Sequence, residues 1–322
     1  MRQLTFTSLL TLFVLAALLT IHGCKSSSDE VTTTSTAAKT YDAQVPLQWY
    51  KLFLDIDRYS QGFRPPAAAR LLAYVGLAAY ESAVPGMPEY NSLEYSFPGL
   101  SLPSVEPGKE YHWPTAVNAA YSTMFQDFYT NIKAADVYKI ATLESKFYDE
   151  FGATVKPDVL ERSRQFGIEV AEAVYKYSES DTYGHNANNN PRPANYVPPK
   201  IGPNGEKLWQ PTFPDYTAAL FPYWGKVRPF AMTQSDLIAK APLPYSENPN
   251  SMFYQQANEV RLWVDNASFN DYWISQFWSD DFFELTFEPA GRQIAIANIL
   301  VESDHISLDR AVELYAKMGM SM

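Results

Sequence analysis

Chemistry could reside in only a few places in this chain: four histidines, one cysteine, one basic loop and one run of carboxylates. Lys226 and Arg228, within Trp224-Gly-Lys-Val-Arg-Pro229, are the best anion-facing candidates, because charge-assisted hydrogen bonds are how such side chains hold an oxyanion. A structural salt bridge is the commoner use of such a pair. Asp280 and Asp281, with Glu284 and Glu288, could suggest paired-carboxylate hydrolysis or a calcium site, but only geometry decides that; helix-end and loop carboxylates are the simpler reading. His22 falls in a leader, His112 heads a helix and His185 lies in an Asn-rich loop as a solvated side chain. His305, at the break between the last two helices, is expected to hydrogen-bond backbone near a helix end. The three are too scattered to propose a metal site. There is no Gly-Lys-Ser phosphate loop, no Gly-x-Ser-x-Gly elbow and no His-Glu-x-x-His.

The cysteine is more telling. Cys24 is the single cysteine of 322 residues, so no intramolecular disulfide and no cysteine-based zinc cluster is possible. It follows Arg2, an apolar run from Leu9 to Leu19, and then Ile21-His22-Gly23, the order of a secretory signal. A cysteine directly after a small residue is the pattern of bacterial lipoprotein signals, although His22 is an unusual neighbour. The reading is therefore a signal peptide over 1–23 and lipid attachment at Cys24. The lipid anchors the chain to the bacterial cell envelope, at the outer membrane, without a transmembrane helix. Residues 24–44, rich in Ser and Thr without an apolar period, read as a flexible tether.

Composition bounds the rest. Hydrophobic residues at 46% and aromatics at 15% mark a globular chain long enough for a substantial core. A formal charge of −11 argues against nucleic acid as a partner, because its phosphates would be repelled. The elements that must position any site are helices. Arg64 to Val84 is Ala-rich behind Pro65 and Pro66, and apolar nearly all round, which means a buried central helix or a membrane span. Burial is preferred, and Arg70 then needs a carboxylate or carbonyl partner. Pro85 to Pro114 reads as loop. Helical stripes follow from His112, over Val137 to Phe151, and from Pro157 to about Tyr177, where Gly167 marks a close helix crossing. Periodicity vanishes from Ser178 to Pro214, a loop expected to wrap the surface or cover a cleft. Further helices are expected at about Asn250 to Val264, Phe269 to Ser279, and from Pro289. The last starts after Ser307, a good N-cap with Asp309 in the first turn. Its apolar stripe, Leu308, Ala311, Val312, Tyr315, Met318, Gly319 and Met322, runs on without a stop signal. The expectation is that the element covering this stripe is missing. The fold class is all-α, a multi-helix bundle with long Pro/Asn-rich loops.

Several stretches carry a family resemblance. Phe277-Trp-Ser-Asp-Asp281, Thr286-Phe287, Pro289-Ala-Gly-Arg292, Arg310-Ala-Val-Glu313 and Tyr315-Ala-Lys317 resemble the bacterial vanadium-dependent haloperoxidases, relatives of the type 2 phosphatidic acid phosphatases. Arg64-Pro-Pro-Ala-Ala-Ala-Arg70, and Trp209-Gln-Pro-Thr212 leading to Trp224-Gly-Lys-Val-Arg-Pro229, agree with it. The resemblance covers roughly 45–322 but only the amino-terminal half of the family's length. It implies vanadate as cofactor of the intact family, and peroxide-dependent halide oxidation or a related acid-phosphatase activity. The family's vanadate-binding Lys, Arg, Ser-Gly-His, Arg and His lie beyond the last helix of this chain. No catalytic, cofactor-binding or metal residue can therefore be carried over, and the chain is expected to be truncated, to bind no vanadate and to be inactive alone. Whether it acts as an enzyme stays open, as does a missing carboxy-terminal half or a homo-oligomer as partner. The alternative is a non-catalytic glycan- or ligand-binding surface lipoprotein, which a coplanar platform of exposed rings would favour.

Overall fold

Ten α-helices carry the chain in a computed structural model that describes residues 35–60, 65–203, 205–233, 235–279 and 286–322. Among these residues there is no strand, only isolated bridges such as Asp42 with Ser307. The signal peptide, Cys24 and the first part of the tether lie outside the described residues.

In chain order the helices are α1 (Gln44–Asp57), α2 (Pro65–Ala83), α3 (Trp113–Phe128), α4 (Ala134–Gly152) and α5 (Pro157–Glu179). They continue as α6 (Thr182–Asn189), α7 (Met252–Asp265), α8 (Phe269–Trp278), α9 (Pro289–Ser303) and α10 (Leu308–Ser321). Prolines open α2, α3, α5 and α9 where the first-turn N–H groups have no helical partner. Of the 19 residues of α2, 16 are buried, which makes it the axis of the bundle. No described helix is long and apolar enough to cross a membrane, so burial accounts for the all-round apolarity of α2.

Two crossings set this core. Helices α2 and α10 run antiparallel with backbone against backbone. A Cβ on Gly76 would lie 2.8 Å from Ala316 Cα, and one on Gly319 2.5 Å from the Leu72 carbonyl oxygen. The apolar stripe of α10 therefore has its cover within the chain, on α2, which corrects the expectation that the covering element is missing. Gly167 does mark a close crossing: a Cβ there would fall inside the envelope of the Ala116 carbonyl, letting α5 press on α3. Around these crossings, Trp49 and Tyr50 of α1 reach Tyr121 of α3 and Tyr315 of α10, with the Tyr50 and Tyr315 rings stacked at 3.9 Å.

Three further expectations change. Folded structure begins by Ser35 rather than Val45. The Tyr111 N–H donates to Ser35 Oγ, Trp113 Nε1 donates to the Thr36 carbonyl, and Ala38 is fully buried. Small Ser, Thr and Ala side chains that look like tether composition also fit a crowded groove. Second, 182–189 is helical rather than loop, capped by Asp181, whose side chain accepts from the Gly184 N–H. Third, Ser307 begins α10 but does not cap it with its hydroxyl, which donates to Asp309 instead; the Leu308 N–H pairs with the Tyr41 carbonyl.

Glu81, near the end of α2, is 3% exposed and ties down the following loop, accepting from Ser92 Oγ at 2.8 Å and the Leu93 N–H at 2.6 Å. Burial pushes its carboxyl up from 4.5 to about 7, against the lowering effect of those two bonds. A folded pKa raised above the unfolded one favours the fold fully below pH 4.5, and that contribution is lost as pH rises through 7. Glu81→Gln is therefore expected to stabilise the protein by on the order of 2 kcal/mol at pH 8 and by nothing at pH 4. Urea midpoints at the two pH values would check it; equal gains at both would rule out the linkage.

Candidate functional site

The described cations of greatest interest converge on one place, the carboxy-terminal end of α5. Arg70 from α2 donates through Nη2 to the Ser178 carbonyl at 2.8 Å and through Nε to Asp181 Oδ2 at 3.4 Å. It lies 4.8 Å over the Tyr74 ring, and its Nη1 is buried without a partner. Arg228 comes from the loop after the short turn Trp224–Lys226. It donates through Nη2 to the Tyr177 carbonyl and the Tyr74 hydroxyl, and through Nη1 to Ser180 Oγ, all within 2.9 Å. Its guanidinium stacks 3.8 Å from the Tyr177 ring centroid. Lys226 sits 5.0 Å over Tyr183 and 5.8 Å over Tyr223.

The physical reason for this gathering is the helix end. The last carbonyls of α5 lack helical partners and carry the negative pole of its dipole, so guanidinium groups are favoured there. Gly184 lets α6 close over Arg70, since a Cβ at that position would run into both Arg70 and Asp181. Burial lowers the Arg70 pKa, the Tyr74 hydroxyl and Asp181 oppose that, and Arg228 adds to it. The expectation of a carboxylate or carbonyl partner for Arg70 holds, as both are present. Among the described residues no carboxylate forms the salt bridge expected for Lys226 and Arg228. Carbonyls, hydroxyls and ring faces serve them instead, and such neutral partners leave no charge pattern in a sequence. Asp181, Ser178 and Tyr74 have no signal except the N-cap position of Asp181.

The histidines remain apart. His112 is the N-cap residue of α3, with Nδ1 2.7 Å from Thr115 Oγ1 and its ring edge-on to Tyr41 and Phe151. Burial lowers its pKa to about 4, so the ring is neutral at physiological pH. His185 is on α6, half-buried and edge-on to Tyr175, rather than solvated in a loop. His305 is exposed at a left-handed φ of 48° after α9, and no described hydrogen bond involves its ring. Among the described residues no group of three His, Cys, Asp or Glu side chains could hold a metal ion. Glu288 is a helix-end carboxylate as expected: it caps α9, accepting from the Ala290 and Gly291 N–H groups. Asp280, Asp281 and Glu284 lie outside the described residues.

A cleft of about 500 Å³ lies elsewhere, on α7 and α8, between Trp263, Val264, Tyr272, Ile274 and Trp278. It carries one carboxylate, Asp271, which is engaged with Ser268 in the capping box of α8. The exposed ring pairs are crossed or tilted, at 89° for Phe277 with Trp278, 82° for Tyr196 with Tyr223 and 42° for Tyr183 with Tyr223. None of these three pairs is coplanar, the arrangement a glycan-binding face would favour.

The architecture does have a counterpart. The chain superposes with a TM-score of 0.67 on a crystal structure of a bacterial vanadium-dependent iodoperoxidase, covering 86% of this chain and 64% of that one, at 22% sequence identity. This is a vanadium haloperoxidase-like fold. No protein-family model matches the chain, and no curated protein matches it. The chain thus spans less than two thirds of the length of the iodoperoxidase. Within the haloperoxidase-like fold, the α5 cluster does not fit vanadate. Nη1 and Nη2 of Arg228 are engaged with neutral oxygens, the Arg70 side chain is 2% exposed, and the Asp181 carboxylate beside it would repel an oxyanion.

Proposed function

We propose that this chain is the helical amino-terminal part of a vanadium haloperoxidase-type protein, and that alone it neither oxidises halide with peroxide nor cleaves phosphate esters. The likeness of fold supports the haloperoxidase-type architecture, and the amino-terminal placement is supported by the sequence resemblance alone. The observation that carries the second claim is the engagement of Arg70 and Arg228 at the end of α5, which leaves no convergent set of free donors there among the described residues. Vanadate is then the cofactor of the intact family and is not held by this chain. The test is a titration of vanadate with the full chain followed by vanadium NMR, together with triiodide absorbance in the presence of vanadate, peroxide and iodide. An unchanged free-vanadate signal and a buffer-like rate are expected; a vanadate-dependent rate would overturn the reading.

The same reading places the chain on the bacterial cell envelope, at the outer membrane, through diacylated Cys24, supported by the Gly23-Cys24 order behind an apolar leader. Labelled palmitate should enter the chain in growing cells and be lost from Cys24→Ser. Label that persists in the variant, or never enters the parent, would sink it.

A further inference from the structure

Glu81 takes no part in the cluster at the end of α5, yet it is a buried acid that holds a loop. Among the described residues no cation pairs with it. A carboxylate out of water and without a cation is costly to keep ionised, so it takes up a proton or water must reach it. Its charged neighbours make ionisation harder. Glu94, in the segment that covers Glu81, adds a like charge, and α10 turns Glu313 toward the adjacent Tyr80. The cations on that side of α10 answer other groups: Lys317 pairs with Glu313, and Arg310 faces Tyr90.

The cover itself is lightly built. Residues 91–102 contain one short turn, Glu94–Ser96, and Asn91, Tyr95, Ser96, Pro98 and Gly99 are exposed. Glu81 supplies two of its attachments, Oε2 accepting from Ser92 Oγ and Oε1 from the Leu93 N–H. Beside them the Tyr80 hydroxyl donates to the Asn91 carbonyl at 2.8 Å. Farther along, the segment is held by packing. The Phe97 ring stands 6.2 Å from that of Tyr177 and 5.9 Å from that of Phe230. Ser92 and Leu93 are only partly buried and lie directly on the carboxyl, so lifting this segment is the short way to hydrate it. We infer that residues 91–102 form a pH-dependent flap, clamped on the end of α2 while Glu81 is neutral and opened when Glu81 ionises, lifting Phe97 off Tyr177 and Phe230. Phe230 lies two residues beyond Arg228, so the open flap uncovers the strap that brings Arg228 to the end of α5.

The sign follows from the closed form, in which burial raises the carboxyl from 4.5 to about 7. Closure is fully supported below pH 4.5, loses that support as pH rises through 7, and levels off above it. Hydrogen exchange of the full chain, followed by mass spectrometry and corrected for intrinsic rates, reads the opening. From pH 5 to pH 8 the opening constant of peptides within 91–102 should rise roughly fiftyfold. It should stay above that of peptides in the middle of α2 throughout. In Glu81→Gln the constant should change by less than about threefold over the same range. In Glu81→Ala the flap should be open at both pH values with the same lack of dependence, and this variant decides alone if the first does not accumulate. A constant that does not rise in the parent, or a rise that persists in either variant, overturns the inference. So does exchange in 91–102 at the rate of the α2 peptides, which would be global unfolding.

Discussion

Gly76→Val is expected to destabilise the protein by about 3 kcal/mol, read as a fall in urea midpoint with loss of helical signal at lower denaturant. The added Cβ would stand 2.8 Å from Ala316 Cα, 3.1 Å from Ala316 N and 3.1 Å from the Tyr315 carbonyl oxygen. All three atoms are backbone of α10, so no rotamer change can relieve the contact and the helices must separate. Separation also opens the stack of Tyr315 on Tyr50 and lifts Gly319 from Leu72, so the penalty spreads beyond one residue. Gly152→Ala is the contrast. The nearest atom to a Cβ there is Leu160 Cδ2 at 3.6 Å, an ordinary contact, and alanine is the better helix former. That variant should be neutral or stabilising by up to about 1 kcal/mol. If both glycine variants lost stability equally, close approach of α2 and α10 would not be what Gly76 provides.

The contrast also shows which parts of the fold were legible. Helical periods and proline starts located most of the ten helices, because an amphipathic stripe is a local property of a sequence. Gly167 was legible as a crossing because a glycine inside a propensity-rich helix needs a packing reason. What covers the stripe of α10 was not legible, since α2 lies more than two hundred residues away and its own stripe is apolar all round. Helix α6 was hidden by composition: Gly184, Asn186, Asn188 and Asn189 are poor helix formers, and the element stands on its Asp181 cap and its contacts with α5 and the Trp224 turn. The cluster at α5 was half legible. A charge such as Arg70 on an apolar helix must be paired, but Arg228 answers carbonyls and rings, whose positions only the fold determines. Some of the stretches that carry the resemblance fall where geometry restricts residue choice: Pro289 to Arg292 opens α9, and Tyr315 and Ala316 lie at the crossing of α10 on α2.

The Asp181→Ala variant should lose on the order of 3–5 kcal/mol, more than any surface ion pair in the chain could supply. Arg70 and Asp181 side chains are 2% and 4% exposed, and the bond between them is long at 3.4 Å. A long bond contributes modestly by itself. The loss would come instead from what remains: a guanidinium already without a partner at Nη1, its pKa lowered by burial and by Arg228, with its one carboxylate removed. Loss of the α6 cap at the Gly184 N–H adds about 1 kcal/mol. A double variant separates charge from packing. Arg70→Met combined with Asp181→Ala removes both charges, while Met refills the space between Tyr74 and Phe128. It is expected to be more stable than Asp181→Ala alone by about 2 kcal/mol, since an unpaired buried charge costs more than a missing pair. Urea unfolding of the two single variants and the double variant gives the coupling directly. If the double variant were as unstable as the sum of the singles, Asp181 would act only as the helix cap, and Arg70 would be held by the Ser178 carbonyl and the Tyr74 ring alone.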